Sequence, residues 1–117
     1  MRIDTHHGRA LQQRPRRTRE DAGLAQVLAV ISREKNVPIR LLVHVSRCRA
    51  DAARARQLAM YLAHVAKGIS LTAIGAAFGR DRTTVSYACA LVEDLRDSPE
   101  FDAELDRLES LLGGEDA

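Results

Sequence analysis

A chain of 117 residues with 3% aromatics and no tryptophan has the length of one domain. It must build its core from Leu, Ile, Val and Ala, which favours packed helices over a β-sandwich. Residues 1–70 hold 14 Lys or Arg against 5 Asp or Glu (+9) and residues 71–117 hold 4 against 11 (−7), so the net charge of +2 conceals a basic half suited to a polyanion and an acidic flank.

Residues 1–19 are polar, rich in Arg and Gln and without periodicity, and read as a mobile basic tail to which His6 and His7 belong. From Glu20 an apolar stripe of Leu24, Leu28 and Ile31, with Val27 beside it, predicts a first helix to about Lys35, closed at Asn36. Pro38 opens a short second helix carrying Ile39, Leu41, Leu42 and Val45. A basic break, Ser46-Arg47-Cys48-Arg49-Ala50, precedes a third helix capped by Asp51. Its inward face reads Ala55, Leu58, Ala59, Leu62, Val65 and Ala66, and Gly68 ends it. Ser70 caps a fourth helix with Leu71, Ile74, Ala77 and Phe78 inward, and Gly79 stops it. Asp81 caps a fifth with Val85, Ala88, Cys89, Val92 and Leu95 inward. Ser98 and Pro99 open a sixth bearing Phe101, Leu105, Leu108 and Leu112, after which Gly113-Gly114 leads into an acidic tip at 114–117. The expected fold is all-α: one six-helix bundle-like domain over 20–113.

No apolar run is long enough to cross a bilayer, and the N-terminus lacks a secretory apolar stretch. Cys48 and Cys89 have no CxxC or metal-ligand spacing and read as reduced cytosolic thiols. No catalytic constellation, metal cluster or cofactor motif is visible, and His44 and His64 fall on helices as surface or packing residues. These features describe a soluble, cytoplasmic protein and not an enzyme.

The fourth and fifth helices, joined by a tight Gly-containing turn, have the outline of a helix-turn-helix. Ile74, Phe78 and Val85 would lock their crossing, Gly75 leaves room there, and the outward residues Arg80, Asp81, Arg82, Thr83, Thr84, Ser86 and Tyr87 are types that read bases or bind phosphate.

Two stretches at a characteristic separation carry a resemblance. RARQLAMYL (Arg54 to Leu62) resembles the first long helix of the C-terminal DNA-binding domain of the bacterial replication initiator family, DnaA, and IGAAFGRDRTTVSYAC (Ile74 to Cys89) resembles that domain's IG-x-x-FG-x-RDHTTV-x-HAC signature. The similarity spans about Ala22 to Leu112 and implies a TrpR-like helical fold that binds initiator-type sites in double-stranded DNA. By that resemblance Asp81, Arg82, Thr83, Thr84 and Tyr87 face base edges in the major groove. Arg47 or Arg49 enters the minor groove; Arg54, Arg56, Ser70, Thr72 and Arg80 lie on phosphates.

Three departures bear on the site read. The turn is one residue shorter, Arg82 stands for the family's first His, and Tyr87 stands for its second. No GxxxxGK[ST] loop is present, so the resemblance implies DNA recognition without the initiator's ATP-driven assembly. A monomeric regulator of replication initiation or transcription, associated with the nucleoid, is the expectation. The alternative is an interaction module for the initiator or the helicase with weakened DNA binding, prompted by the shortened turn and the acidic sixth helix (Glu100, Asp102, Glu104, Asp106, Glu109).

Overall fold

Helix boundaries follow the local chemistry closely. The computed structural model describes the backbone of residues 2–43 and 50–113, and the side chains from Arg19 onward within those ranges. The helices are α1 (Arg2–Lys35), α2 (Ile39–Val43), α3 (Ala50–Val65), α4 (Leu71–Phe78), α5 (Arg82–Leu95) and α6 (Pro99–Gly113), with no strand among the described residues. The all-α, six-helix expectation holds. Asn36 (φ 56°), Gly68 (φ 69°) and Gly79 (φ 69°) adopt the left-handed conformation just past α1, α3 and α4, where a helix is commonly closed. Ser98 Oγ accepts from the Phe101 N–H at 3.5 Å, and Pro99 takes the first helical position of α6.

Two parts of the expectation differ. The backbone of α1 is helical from Arg2, whereas the apolar stripe foretold a helix only from Glu20. A stripe reports burial, not helicity, and Arg, Gln, Leu and Ala in the 2–19 segment are good helix formers. Ala77 and Val65, read as inward, are exposed. Val45, His44, the basic 46–49 segment and the acidic tip 114–117 lie outside the described residues.

The core is arranged around α3, which is buried on almost every side between Ala52 and Ala63. Against it α1 lays Val27, Val30 and Ile31, α4 lays Ile74 and Phe78, and α5 lays Val85, Ala88 and Val92. Leu105, Leu108 and Leu112 of α6 complete the cluster. Met60, Tyr61 and Ala63, absent from the predicted face, are buried because a helix surrounded by neighbours has no solvent side for a periodicity to mark.

Helix α6 runs antiparallel to α1. The Gln26 side chain donates to the Leu112 carbonyl at 3.5 Å, Arg107 pairs with Glu34 at 2.8 Å, and Lys35 pairs with Glu104. Lys67 adds a bond to the same Leu112 carbonyl at 3.3 Å, so two side chains satisfy one orphan acceptor at the end of α6.

The far end of α5 is held by Arg96. Its guanidinium reaches Asp102 at 2.6 Å, Asp106 at 2.6 Å and Glu109 at 2.9 Å on successive turns of α6. It also donates to the Tyr61 hydroxyl at 3.0 Å, which in turn donates to Glu93 at 2.7 Å. Burial opposes the Arg96 charge, but the bonds to Asp102, Tyr61 and Glu109 outweigh it and lift its pKa above the ordinary value. Four of the five acidic residues of α6 singled out in the sequence are thus partners of Arg96 or Lys35.

Candidate nucleic-acid interface

The angle between α4 and α5 is set by a turn with no spare volume. Ser70, with extended backbone, caps α4 by accepting the Ala73 N–H at 3.1 Å. At the other end the Arg80 N–H donates to the Gly75 carbonyl at 2.8 Å, closing the helix over left-handed Gly79. A Cβ on Gly75 would stand 2.5 Å from the Arg80 carbonyl oxygen and 3.2 Å from the Asp81 carbonyl carbon. Glycine is therefore what lets the turn fold back onto α4. Three residues, Gly79, Arg80 and Asp81, separate the two helices, which is within the usual length of a helix-turn-helix turn despite the missing residue.

Asp81 starts the second helix. Its carboxylate accepts the Thr84 N–H at 2.9 Å, with the Thr84 side chain beside it. These contacts hold the carboxyl below its ordinary pKa, so it stays ionised at the positive end of α5. Beyond the cap, Val85, Ala88 and Val92 face the core, while Arg82, Thr83, Thr84, Ser86 and Tyr87 are exposed. Tyr87 is 71% exposed, the most open of the large apolar side chains among the described residues. The row of polar groups expected on the outer face of α5 is thus brought together on one surface.

The surrounding cations divide into two kinds. Arg54 is exposed, with its Nε donating to Gln57 at 3.1 Å. Thr72 is exposed in the first turn of α4, beside the Ser70 cap. Arg80 lies partly buried along the turn, and its Nε is buried without a partner among the described residues.

Arg56 corrects the predicted phosphate set. It is only 6% exposed, and its guanidinium donates to the carbonyls of Leu42 at 2.7 Å and Leu41 at 2.8 Å, the closing residues of α2. The cation sits in the core, on carbonyls of the last turn of α2. Arg47 and Arg49 lie outside the described residues. Cys89 is half-buried, and burial pushes its thiol pKa up, which disfavours the reactive thiolate. Among the described residues no group of three His, Cys, Asp or Glu could hold a metal ion, and no helix is long and apolar enough to cross a membrane.

A pinned turn, a capped second helix and a polar outer face are the parts of a helix-turn-helix. The sequence pattern of the bacterial DnaA protein helix-turn-helix matches residues 24–92. The chain belongs to that family. It is 45% identical over 85 residues to the chromosomal replication initiator protein DnaA of Acinetobacter baumannii (strain AYE), a stretch covering 71% of this chain and 18% of the relative. It is 40% identical over 76 residues to DnaA 2 of Chlamydia pneumoniae (65% of this chain, 17% of that protein), and 46% identical over 68 residues to DnaA 2 of Chlamydia muridarum (58% and 12%). The chain thus spans less than a fifth of the length of these relatives. The DnaA-family match takes in α1 from Leu24, α2 to α4, the turn and α5 through Val92, and stops short of α6.

Proposed function

We propose that this DnaA-family chain is a sequence-specific binder of double-stranded DNA. It occupies initiator-type sites as a monomer in the cytoplasm, at the nucleoid, and by occupancy regulates replication initiation or nearby transcription. The observation that carries the reading is the exposed row Arg82, Thr83, Thr84 and Tyr87 on α5, presented by a turn that only glycine at 75 permits. Support comes also from relatives that are named chromosomal replication initiator proteins.

In this reading α5 lies in the major groove. Arg82, in place of the family's His, offers a fork to guanine O6 and N7, and the Thr83 and Thr84 methyls pack on thymine. Asp81 keeps one carboxylate oxygen for a cytosine amine while the other caps the helix. Arg54, Arg80, Thr72 and the Ser70 hydroxyl, together with the open N-terminus of α4, rest on phosphates. Arg47 or Arg49 enters the minor groove. The interaction-module alternative is the weaker reading, since four of the five acidic residues on α6 have ion-pair partners within the fold.

The test is a titration against a duplex carrying an initiator-type site, beside a scrambled duplex, at two salt concentrations. Tight, salt-sensitive binding with preference for the site supports the proposal. Arg82→Ala and Thr83→Ala should each relax preference at particular bases by roughly 1–3 kcal/mol. Binding to neither duplex at low salt would refute it.

A further inference from the structure

We propose that the arginine-rich helical arm of residues 2–19 runs along the DNA backbone beside the helix-turn-helix, adding a sequence-independent grip on flanking duplex; the inference rests on the DNA-binding reading above. Residues 1–19 hold Arg2, Arg9, Arg14, Arg16, Arg17 and Arg19 against Asp4 alone, a charge of +5. Arg2, Arg9 and Arg16 recur every seven residues in the sequence, and the backbone there is helical from Arg2.

The arm belongs to the same helix as the core residues Val27, Val30 and Ile31. Thirty-four residues of helix run about 51 Å at 1.5 Å each, close to the 59 Å long axis of the molecule. Where α1 enters the body it passes the loop before α4: a Cβ on Gly23 would lie 3.6 Å from Lys67 Cβ and 3.6 Å from Ile69 Cδ1. Ser70, the cap of α4, is the next residue in the chain. The arm therefore leaves the body beside the helix end that the proposal sets on phosphate. B-DNA carries one charge per about 1.7 Å of its axis, so an arm of about 27 Å spans more phosphates than it has arginines.

Among the described residues Glu34 pairs with Arg107, and Asp102, Glu104, Asp106 and Glu109 of α6 pair with Arg96 or Lys35. Each arginine that meets a phosphate releases condensed counterions, and the contact reads charge, not base sequence.

The experiment uses the full chain and a variant with Arg9→Gln, Arg14→Gln, Arg16→Gln, Arg17→Gln and Arg19→Gln, since Gln preserves helix propensity. Each is titrated against a duplex just covering the selected site and against the same site extended by one helical turn on each side. The unaltered chain should bind the longer duplex about tenfold more tightly at low salt, with a salt slope steeper by about 0.9 per added phosphate contact. The variant should bind both duplexes alike and keep the site preference. Equal binding of the two duplexes by the unaltered chain overturns the arm's role and leaves the helix-turn-helix reading intact. A gain retained by the variant overturns it too. Failure of the unaltered chain on the short duplex overturns both.

Discussion

Arg54 and Arg56 stand two positions apart and have opposite fates, because residues two apart on a helix point away from each other. Arg54 remains at the surface, and Arg56 carries its charge into the core to close α2. Composition cannot separate them, but register can: Arg56 shares the face of Ala52, Ala59 and Ala63, all buried. Arg56→Met leaves two carbonyls without their charged donor and should cost about 2–3 kcal/mol, read as a lower urea midpoint. Arg54→Ala should move stability by less than about 0.5 kcal/mol while weakening every duplex alike. Asp81 yields a prediction in pH. Its folded pKa lies below its ordinary 3.8, so its cap contributes fully above that value and is lost as pH falls through the lowered one. Thermal melts of the unaltered chain and Asp81→Ala should therefore differ at neutral pH and converge in acid.

Elements are where the sequence was most legible. Asn36, Gly68, Gly79, Ser70, Asp81 and the Ser98-Pro99 pair all mark helix ends, because capping chemistry is local and needs no knowledge of the fold. The two-helix site was legible for the same reason, its polar row being set by the apolar period beneath it. Less legible was how tightly α4 and α5 meet, since Gly75 signals space without saying what fills it. Gly75→Ala drives a methyl against the Arg80 carbonyl and should destabilise the chain by about 1–3 kcal/mol. It should also abolish site preference, because the turn must open to admit it. The acidic character of α6 was plain in the sequence; its partner was not, since Arg96 sits on another helix. Arg96→Gln should cost about 2 kcal/mol, discounted for the partial exposure of its carboxylates. Amide exchange should quicken first in α6, and added salt should narrow the gap between variant and unaltered chain.

At the scale of the molecule, the charge division read from the sequence acquires two different meanings. Of the 11 acidic residues of the second half, four on α6 are held in ion pairs between helices, whereas the basic half has its buried share in Arg56 and its open share in Arg54. Long-range pairing of this kind depends on which helices become neighbours, so charge counts alone could not divide it. The same division falls on the two tyrosines of this tryptophan-free chain, one 1% and the other 71% exposed. Tyr61 is sealed among α3, α5 and α6, and Tyr87 stands on the outer face of α5. Near-ultraviolet emission from this protein is therefore the sum of two chromophores that answer separate questions. Titrated with duplex DNA, Tyr61→Phe should report groove contact alone through quenching of Tyr87. Titrated with urea, Tyr87→Phe should report loss of the core alone through Tyr61. The chain carries its own optical reporters for binding and for unfolding, with no label attached.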